Sequence, residues 1–305
     1  MIMDETRVKT NSIKAWVLAA RPQTLSGAAV PVMIGAGLAW TEAGSDMHWL
    51  PALLCLLFAF VMQIDANLIN DYFDFQRGND DAATRLGPLR ACSMGWITPK
   101  VMLRAIIITT AIGCLIGLPL VYFGGWTMIA VGALCVLFSF LYTTKLSYLG
   151  LGDLLVLVFF GIVPVCLTYF LSVPESQQAI TWQVFLASIA CGLVIDTLLI
   201  VNNYRDIEND RRDNKMTLVV RVGASGGRAL YISLGIVAML IASIHIFYSN
   251  PWAFWLPLIS YMPLHITTYI SMCRIDKGRE LNKVLGQTGR NMFVYGLTTA
   301  IGFLI

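Results

Sequence analysis

Long apolar segments separated by short polar loops dominate this chain and leave few folds open to it. The segments lie at residues 16–40, 49–70, 99–122, 126–143, 151–172, 182–203, 228–248, 252–272 and 288–305. A bilayer core about 30 Å thick needs roughly 20 apolar residues in one helix. Because 57% of the residues are hydrophobic and only 13% are charged, we expect an all-α polytopic membrane protein, with about nine transmembrane helices in one bundle.

The two ends of the chain are less regular than its middle. Arg21-Pro22 interrupts the first segment, which indicates a turn at the membrane interface before the span itself. The ninth segment follows Arg290 and is short and only moderately apolar. No small-residue cleavage site follows a short apolar core, so we expect no signal peptide. Residues 1–305 are predicted to form a single membrane domain, with residues 1–14 as an N-terminal arm.

The basic residues predict how the chain is oriented in the membrane. All 21 lysines and arginines lie at residues 7–21, 77–104, 145, 205–228 or 274–290. The intervening loops near residues 41–48, 123–125, 173–181 and 249–251 contain none. Loops that remain in the cytoplasm are enriched in Lys and Arg. We therefore predict a multi-pass protein of the cell (inner) membrane whose N-terminal arm and basic loops face the cytoplasm.

Two acidic clusters stand where apolar segments meet these basic loops. The second segment ends in the residues NDYFD, and the sixth is followed by DIEND. In a helix, Asp71 and Asp74 are three residues apart and Asp206 and Asp210 are four apart, so each pair shares a face. Two such carboxylates repel by roughly 3 kcal/mol at an effective dielectric near 20. A bound cation removes that penalty, and Mg²⁺ is commonly held by a few carboxylates together with substrate phosphates.

Polar residues extend each cluster back into its helix. The stripes are Asn67, Asn70, Asp71 and Asp74 on the second segment, and Asp196, Asn203, Asp206 and Asp210 on the sixth. A central Asp that faced lipid would cost about 2.5–3.5 kcal/mol, so we expect both stripes to face the bundle interior. A polar seam that satisfies itself would explain one stripe. Two stripes of the same composition on one membrane side favour a binding site.

Cations accompany both clusters. They are Arg77, Arg85 and Arg90 after the first cluster and Arg205, Arg211, Arg212 and Lys215 after the second. Arg and Lys neutralise phosphate oxygens that a metal does not reach. Cytoplasmic loops are basic in any case, so each residue alone is weak evidence, and Arg77 and Lys215 are the better candidates. The sequence contains no phosphate-binding loop of the nucleotide type, so a nucleotide is not the predicted phosphate ligand.

These motifs resemble those of the UbiA superfamily of intramembrane aromatic prenyltransferases, which carry N-D-x-x-D and D-x-x-x-D motifs on two cytoplasmic helix ends. Within it the chain is most similar to the 1,4-dihydroxy-2-naphthoate polyprenyltransferase branch of menaquinone biosynthesis. The similar stretches, from about residue 15 to the C-terminus, are residues 20–25, 70–75 with Gly78, 150–153, 202–206 and 215–223. Two positions depart from the pattern. Gly78 replaces a further Asp of many members, which leaves Asp80 or Asp81 as a third ligand, and Asn214 replaces a usual Gly.

The resemblance implies a helix bundle around a central cavity that opens laterally to lipid. Mg²⁺, bridging the diphosphate of a polyprenyl diphosphate, would be held by Asp71, Asp74, Asp206 and Asp210. Five residues would contact the diphosphate, namely Asn67, Asn70, Arg77, Arg205 and Lys215. Arg21 and Asp153 are candidates for contact with a small aromatic acceptor, although an interfacial Arg that snorkels is the more ordinary interpretation of Arg21.

The same resemblance implies the reaction and its partners. Metal and cations stabilise the departing diphosphate, an allylic cation forms in a dry cavity, and the electron-rich ring attacks it. In the naphthoate branch CO₂ is lost from the substituted carbon, which gives demethylmenaquinone. We expect membrane lipids as surroundings and no nucleic acid as partner. The sequence predicts neither the oligomeric state nor the prenyl chain length.

Two alternatives remain open at the level of the sequence. One keeps the fold and changes the acceptor to 4-hydroxybenzoate, homogentisate, a haem vinyl group or a glycerol-phosphate ether lipid. The other is a cation-coupled transporter whose intramembrane carboxylates bind the driving ion. Transporters usually place such residues near the bilayer midplane. Carboxylates at helix ends beside Arg-rich loops favour a phosphorylated head group instead.

Overall fold

The structure, a computed structural model, describes residues 8–78, 85–248 and 250–305, and every regular element in these ranges is helical. The helices are α1 (Ile13–Ala20), α2 (Leu25–Ala43), α3 (Trp49–Gln76), α4 (Pro99–Gly117), α5 (Leu120–Gly124), α6 (Thr127–Leu141), α7 (Gly152–Val156), α8 (Val163–Ser172), α9 (Trp182–Arg205), α10 (Ile207–Arg212), α11 (Leu218–Ala242), α12 (Trp252–Ile275) and α13 (Leu281–Leu304). The predicted all-α class is confirmed.

Seven helical stretches are long and apolar enough to cross a membrane. They are Ile13–Asp46, Trp49–Gln76, Pro99–Gly117, Thr127–Leu146, Gly152–Ser172, Trp182–Arg205 and Leu218–Ile246. The helices α12 and α13 have 24 residues each but are richer in polar residues. Each of the predicted segments therefore contains a helix. The seventh and ninth begin earlier than predicted, at Leu218 and Leu281. In α11 a short first stretch precedes a break at Gly223, which has φ 75° and ψ 178°, and α13 begins with a turn that contains the polar residues Asn282 and Lys283.

The first predicted segment is broken where the sequence indicated. After α1 ends, Arg21 adopts a left-handed conformation with φ 51° and ψ 67°, and Pro22–Thr24 forms a short 3₁₀ turn before α2. Proline fits this first turn because it lacks an N–H group that would otherwise need a partner. The side chain of Asn67 on α3 fastens the turn, donating to the Ala20 carbonyl at 3.0 Å and to the Thr24 hydroxyl at 2.9 Å.

Helix α9 lies at the centre of the bundle. In its apolar window 67% of the residues are buried, against 6% in Thr127–Leu146, so α6 lies at the periphery. Helix α9 packs against α2, α11, α13 and the π-helical segment Leu157–Ile162, which joins α7 to α8. Gly161 of this segment meets Gly192 of α9, where an added Cβ would lie 2.7 Å from the Gly192 Cα. Two glycines thus permit direct backbone contact beside the central helix.

The two ends of the bundle differ in their side chains. At one end, exposed aromatic residues lie at or just before the starts of α3, α6, α9 and α12, among them Trp49, Trp126 and Trp182. Aromatic residues of this kind mark a membrane interface. At the opposite end lie the last turns of α3 and α9, residues 85–98, residues 142–153, α10 with residues 213–217, and the start of α13. We call this the charged end, and it contains both acidic clusters.

Candidate functional site

A cavity of about 160 Å³ opens at the charged end. This volume is many times the roughly 10–15 Å³ that one water needs, so the cavity has room for more than a single bound water. The walls come from α3, α9, the turn after α6, the start of α7 and residues 215–217. Five of the predicted site residues line it, namely Arg21, Asn70, Asp74, Asp153 and Lys215. The structure therefore brings residues from both halves of the predicted site to one cavity.

In the first cluster, Asp71 and Asp74 point to different partners. Asp71 is 1% exposed. Its Oδ2 accepts the Ala91 N–H at 2.7 Å, and its Oδ1 accepts the Cys92 N–H at 2.9 Å. Asp74 lines the cavity and pairs with Arg90 at 3.2 Å. Asp71 thus holds the loop after α3 in place, and Asp74 presents its carboxylate to the cavity.

Two further predicted residues of this region hold the turn that follows α6. Residues Tyr142–Leu146 form a single π-helical turn, a feature that often accompanies functional sites. Arg77 donates to the carbonyls of Thr143 and Thr144, and its guanidinium lies 4.5 Å from the Tyr148 ring centroid. Asn70 accepts the Thr143 hydroxyl at 2.5 Å. Arg77 therefore supports the cavity wall rather than lining the cavity, whereas Asn70 does both.

The second cluster sits on a break in the helix. Asp206 ends α9 with φ −96° and ψ 9°, and α10 starts directly after it. The neighbouring Arg205 is 5% exposed and grips both oxygens of Asp206, from Nε at 2.9 Å and from Nη2 at 2.5 Å. The same guanidinium donates to Asn202 and to Asn282 of α13, each at 2.8 Å. Arg205 thus fixes the orientation of Asp206, because a planar guanidinium with several partners has one geometry.

Asp210 of α10 pairs with Lys215, which lines the cavity, whereas Asp206 and Asp210 are not lining residues themselves. The ammonium group of Lys215 lies 3.4 Å from Asp210 Oδ1. The second oxygen, Oδ2, is buried and accepts no hydrogen bond within the described residues. Burial raises the pKa of Asp210 to about 6, although the charge of Lys215 opposes this shift. A buried carboxylate oxygen without a donor is suited to a cation.

Lys215 lies between the two clusters. Burial disfavours its charge, yet the negative charges of Asp210, Asp74 and Asp206 raise the pKa of Lys215 above its usual value. The side chain therefore stays protonated at neutral pH. Since Asp74 belongs to α3 and the other two carboxylates to the end of α9 and to α10, this interaction connects both clusters to the same cavity.

Two further carboxyl groups lie within electrostatic reach of each other. Asp153, the second residue of α7, lines the cavity, and Asp196 lies on α9, is 5% exposed and is not a lining residue. In each of them Oδ1 is buried and has no hydrogen-bond partner in the part of the chain that is described. The Tyr142 side chain interacts with both, as well as with Lys215 and Asp210. Within the described residues, Asp153 thus offers the cavity wall an acceptor for a hydroxyl group.

Tyr142, Thr143, Ser147 and Thr217 line the cavity, and no role in the site was predicted for them. Asn202, Asn203 and the buried Arg90 also line it, and they were noted beside the acidic clusters without being assigned to the site. Arg90, Asn202 and Asn203 carried a signal, since Arg90 follows the first acidic cluster and the two asparagines belong to the polar end of the sixth segment. The sequence contains no comparable signal for the hydroxyl residues after α6, because a π-helical turn has no characteristic pattern of residue types.

The four predicted metal ligands are not gathered into one cluster. Within residues 8–78, 85–248 and 250–305, no three His, Cys, Asp or Glu side chains form a group able to hold a metal ion. Asp80 and Asp81, the candidate third ligands, lie outside the described residues. The oxygen donors of Asp74 and Asp210, together with the amides of the cavity wall, are nevertheless the type that Mg²⁺ prefers. The metal role of Asp71 stays a prediction.

Known proteins share both the sequence and the fold. The model of the UbiA prenyltransferase family matches residues 28–297. The 1,4-dihydroxy-2-naphthoate octaprenyltransferase of Mycobacterium tuberculosis is 36% identical over 95% of this chain and 96% of that protein. The protein of the same name from Escherichia coli is 38% identical over 75% of each chain. A UbiA homolog from Archaeoglobus fulgidus, solved with DMAPP and Mg²⁺, has a TM-score of 0.60 at 15% identity and covers 94% of this chain and 99% of its own.

These similarities agree with the helical bundle and with the paired acidic motifs of the sequence. The family match spans most of the chain, and a relative above 30% identity covers it almost from end to end. The solved neighbour, at low identity, independently supports the fold. The resemblance seen in the motifs is confirmed. The chain is a multi-pass membrane prenyltransferase and belongs to the UbiA prenyltransferase family.

Proposed function

We propose that this protein transfers a polyprenyl group from a polyprenyl diphosphate to 1,4-dihydroxy-2-naphthoate, with release of diphosphate and CO₂. The product is the quinol (reduced) form of demethylmenaquinone, because both ring hydroxyl groups are kept and no oxidation takes place. One observation carries the diphosphate half of the proposal, namely a cavity that joins Asp74, Arg90 and Lys215 beside Asp206 and Asp210. The names of the mycobacterial and enterobacterial relatives support the acceptor. Family membership also favours an enzyme over the transporter alternative.

We propose Mg²⁺ as the cofactor, in line with the metal present in the archaeal homolog. Asp74, Asp206 and Asp210 would hold it, and the unpartnered Oδ2 of Asp210 is the first oxygen available. When bound, the metal acts as a Lewis acid on the diphosphate oxygens. The role of Asp71 as a fourth ligand stays a prediction. An experiment has to distinguish that role from the structural role of its contacts with the Ala91 and Cys92 N–H groups.

The chain's own cations bind the rest of the diphosphate. Lys215 and Arg90 line the cavity and supply positive charge to oxygens that develop charge as the allylic C–O bond breaks. Asn70 orients the same group from α3. The other predicted diphosphate residues act from behind the wall, because Arg77 holds the turn after α6, Arg205 holds Asp206, and Asn67 holds the turn at Arg21.

The acceptor is proposed to approach Arg21. This residue lines the main cavity and also a second, more apolar groove of about 390 Å³, built from Val17, Leu18, Leu89 and Trp96. An aromatic carboxylate fits such a groove, since the ring replaces water on the apolar walls and the carboxylate pairs with the guanidinium. Asp153 would accept a ring hydroxyl group at the inner end.

The bond changes follow from this placement. The C–O bond of the prenyl diphosphate breaks, and its electron pair leaves with the diphosphate. An electron pair of the ring forms the new C–C bond to the prenyl carbon. The carboxyl group then leaves as CO₂, and the electron pair of its C–C bond restores the aromatic ring. Apolar walls keep water from the allylic cation.

Residues 1–305 are proposed to act as one membrane domain with the charged end toward the cytoplasm. All lysines and arginines lie in the N-terminal region or in residues 77–104, 145, 205–228 and 274–290, which comprise loops of that end and the helix turns next to them, as the distribution of basic residues in membrane proteins leads us to expect. A polyprenyl diphosphate in the inner leaflet would then present its head group to the cavity, and a soluble acceptor would reach it from the cytoplasm.

The experiment is a prenyl-transfer assay with purified protein and a radiolabelled polyprenyl diphosphate. Parallel reactions contain carboxyl-labelled 1,4-dihydroxy-2-naphthoate, 4-hydroxybenzoate or homogentisate, each with Mg²⁺ or with a chelator. We expect prenylated product and labelled CO₂ from the naphthoate alone, and no product under chelation. Product from benzoate and none from naphthoate would refute the acceptor. Undiminished transfer in chelator would refute the metal requirement.

A further inference from the structure

Asn282, the second residue of α13, bridges two segments of the charged end that are far apart in sequence. Its Oδ1 accepts from Arg205 Nη1 at 2.8 Å. Its Nδ2 donates to the carbonyl of Leu86 at 2.8 Å. One amide side chain thus uses its acceptor toward the second acidic cluster and its donor toward the loop that follows the first.

The contact with Arg205 controls the second cluster. Arg205 is almost fully buried, and its guanidinium holds both oxygens of Asp206 as well as Asn202. A buried guanidinium that loses one acceptor turns toward another or recruits water, because an unpaired buried charge is costly. The position of Asp206 therefore depends on Asn282 through Arg205.

The contact with Leu86 controls the loop of the first cluster. Four residues after Leu86, Arg90 pairs with Asp74. Between them Gly87 packs directly on the same guanidinium, since an added Cβ would lie 2.8 Å from Arg205 Nη2. The guanidinium cannot retreat, because its N–H groups are held by Asp206, Asn202 and Asn282. The loop is thereby seated on the second cluster.

We propose that Asn282 is a positioning residue that couples the two acidic clusters. The connection runs from Asp74 through Arg90 and the 86–90 loop to Asn282, and from there through Arg205 to Asp206. It sets the spacing of carboxylates on α3 and at the α9–α10 break. The inference rests on the proposed role of these clusters as the metal and diphosphate site. It assigns the last helix a part in that site.

The test uses two substitutions that separate the contacts and one matched control. Asn282→Ala removes both contacts. Asn282→Asp keeps an acceptor for Arg205 and removes the donor to Leu86. The control, Asn291→Ala, removes a buried amide of the same helix that bonds to the Leu264 carbonyl and the Thr268 hydroxyl on α12. All three change α13 by one side chain.

Two readouts are measured. The first is hydrogen–deuterium exchange of peptides covering residues 85–92, without substrate. We expect faster exchange in both Asn282 variants and no change in Asn291→Ala. The second is the Mg²⁺ concentration that half-maximally stabilises the protein against heat in the presence of inorganic diphosphate. For Asn282→Ala we expect it to rise about tenfold, the effect of losing one hydrogen bond to a charged group, and less for Asn282→Asp.

The outcomes are decisive in either direction. Unchanged exchange at residues 85–92 in Asn282→Asp, or the same Mg²⁺ shift in Asn291→Ala, would overturn the coupling. If Asn282→Ala fails to fold, Asn282→Asp carries the test, because it retains the acceptor for the buried guanidinium. Neither readout involves an aromatic acceptor. Failure to prenylate naphthoate would therefore refute the acceptor assignment and leave the coupling to be judged by exchange and metal binding.

Discussion

The two acidic clusters have similar spacing in the sequence and different structures. The first lies on the continuous helix α3, where Asp71 turns to the Ala91 and Cys92 N–H groups while Asp74 faces the cavity. The second straddles the break between α9 and α10, where Arg205 fixes Asp206. In the first cluster, one carboxylate thus holds the loop that follows α3. In the second cluster, the neighbouring Arg205 orients a carboxylate, and Oδ2 of Asp210 has no hydrogen-bond partner within the described residues.

The comparison teaches that a motif of two carboxylates need not have two equivalent members. In the first cluster the member nearer the membrane core supports the fold, and the later one is available for chemistry. In the second cluster the member at the break is oriented by Arg205, and the later one is only partly neutralised by Lys215. Substitution of each member should therefore give distinct results.

The largest effect is expected for Asp74, which lines the cavity, and for Asp210, which pairs with the lining residue Lys215. Asp210→Asn and Asp74→Asn should each lower kcat/KM by about 10³-fold, equivalent to about 4 kcal/mol, because a metal-held diphosphate loses a charged ligand. Steady-state prenyl transfer at saturating Mg²⁺ measures this. Asp213→Asn, three residues further on and paired with Arg212, is the matched control and should stay within twofold. Near-normal activity in either variant would exclude that residue from the metal site.

Substitution of Asp71 should mainly lower the stability of the protein. Asp71→Ala leaves two buried N–H groups without an acceptor, which costs about 1–3 kcal/mol each, so we expect the free energy of unfolding to fall by about 2–4 kcal/mol. Asp71→Asn, which keeps one acceptor, should lose about half of that. Thermal unfolding in detergent measures both. An unchanged Tm combined with lost stabilisation by Mg²⁺ would instead make Asp71 a metal ligand equivalent to Asp74.

Substitution of Lys215 tests whether the two acidic clusters act on the same diphosphate. Lys215→Met should raise the KM for polyprenyl diphosphate by about 10- to 100-fold, since one charge-assisted hydrogen bond is worth roughly 1.5–3 kcal/mol. Lys145→Met, an exposed lysine of the same end that does not line the cavity, is the control. A change in kcat with an unaltered KM would place Lys215 in the chemical step instead of in binding.

The smallest effect concerns pH and distinguishes Asp210 from its neighbours. Its pKa of about 6 means that the carboxylate is ionised above that pH and protonated below it. A metal must displace that proton, so the apparent Mg²⁺ affinity should be at its maximum above pH 7. Below pH 6 it should decrease, with a slope that approaches a factor of ten for each pH unit. Metal titrations between pH 5 and 8 measure the midpoint. In Lys215→Met it should move upward, and a midpoint that stays fixed would contradict the pairing.

Much of the fold followed from the sequence. Apolar length and the break at Arg21-Pro22 predicted the helices, because these depend on local composition. The exact starts of α11 and α13 did not follow, because a break at Gly223 separates the first stretch of α11 from the rest and because the first turn of α13 contains polar residues. The π-helical turns after α6 and α7 were also invisible, because they add one residue to a helix without changing its composition.

The site was predicted in outline but not in detail. Helical spacing placed Asn70 and Asp74 on the interior face, and both line the cavity. The same spacing could not reveal that Asp71 would meet backbone N–H groups twenty residues later, because loop position is set by tertiary structure. Arg77 and Arg205 were grouped with the phosphate ligands by their charge. In the folded chain Arg77 donates to backbone carbonyls, and Arg205 donates to the Asp206 carboxylate and to two amide side chains. Their contact with a diphosphate stays a prediction.

The length of α3 determines how deep the site lies in the bilayer. Its 28 residues extend about 42 Å, beginning at the exposed Trp49. The hydrocarbon layer accounts for about 30 Å, and head groups extend a membrane to about 40–45 Å. The last two turns, with Asn70 and Asp74, therefore reach the head-group layer. A prenyl diphosphate already has its phosphates there and its tail below, so the protein can work on it at the depth where the lipid normally rests.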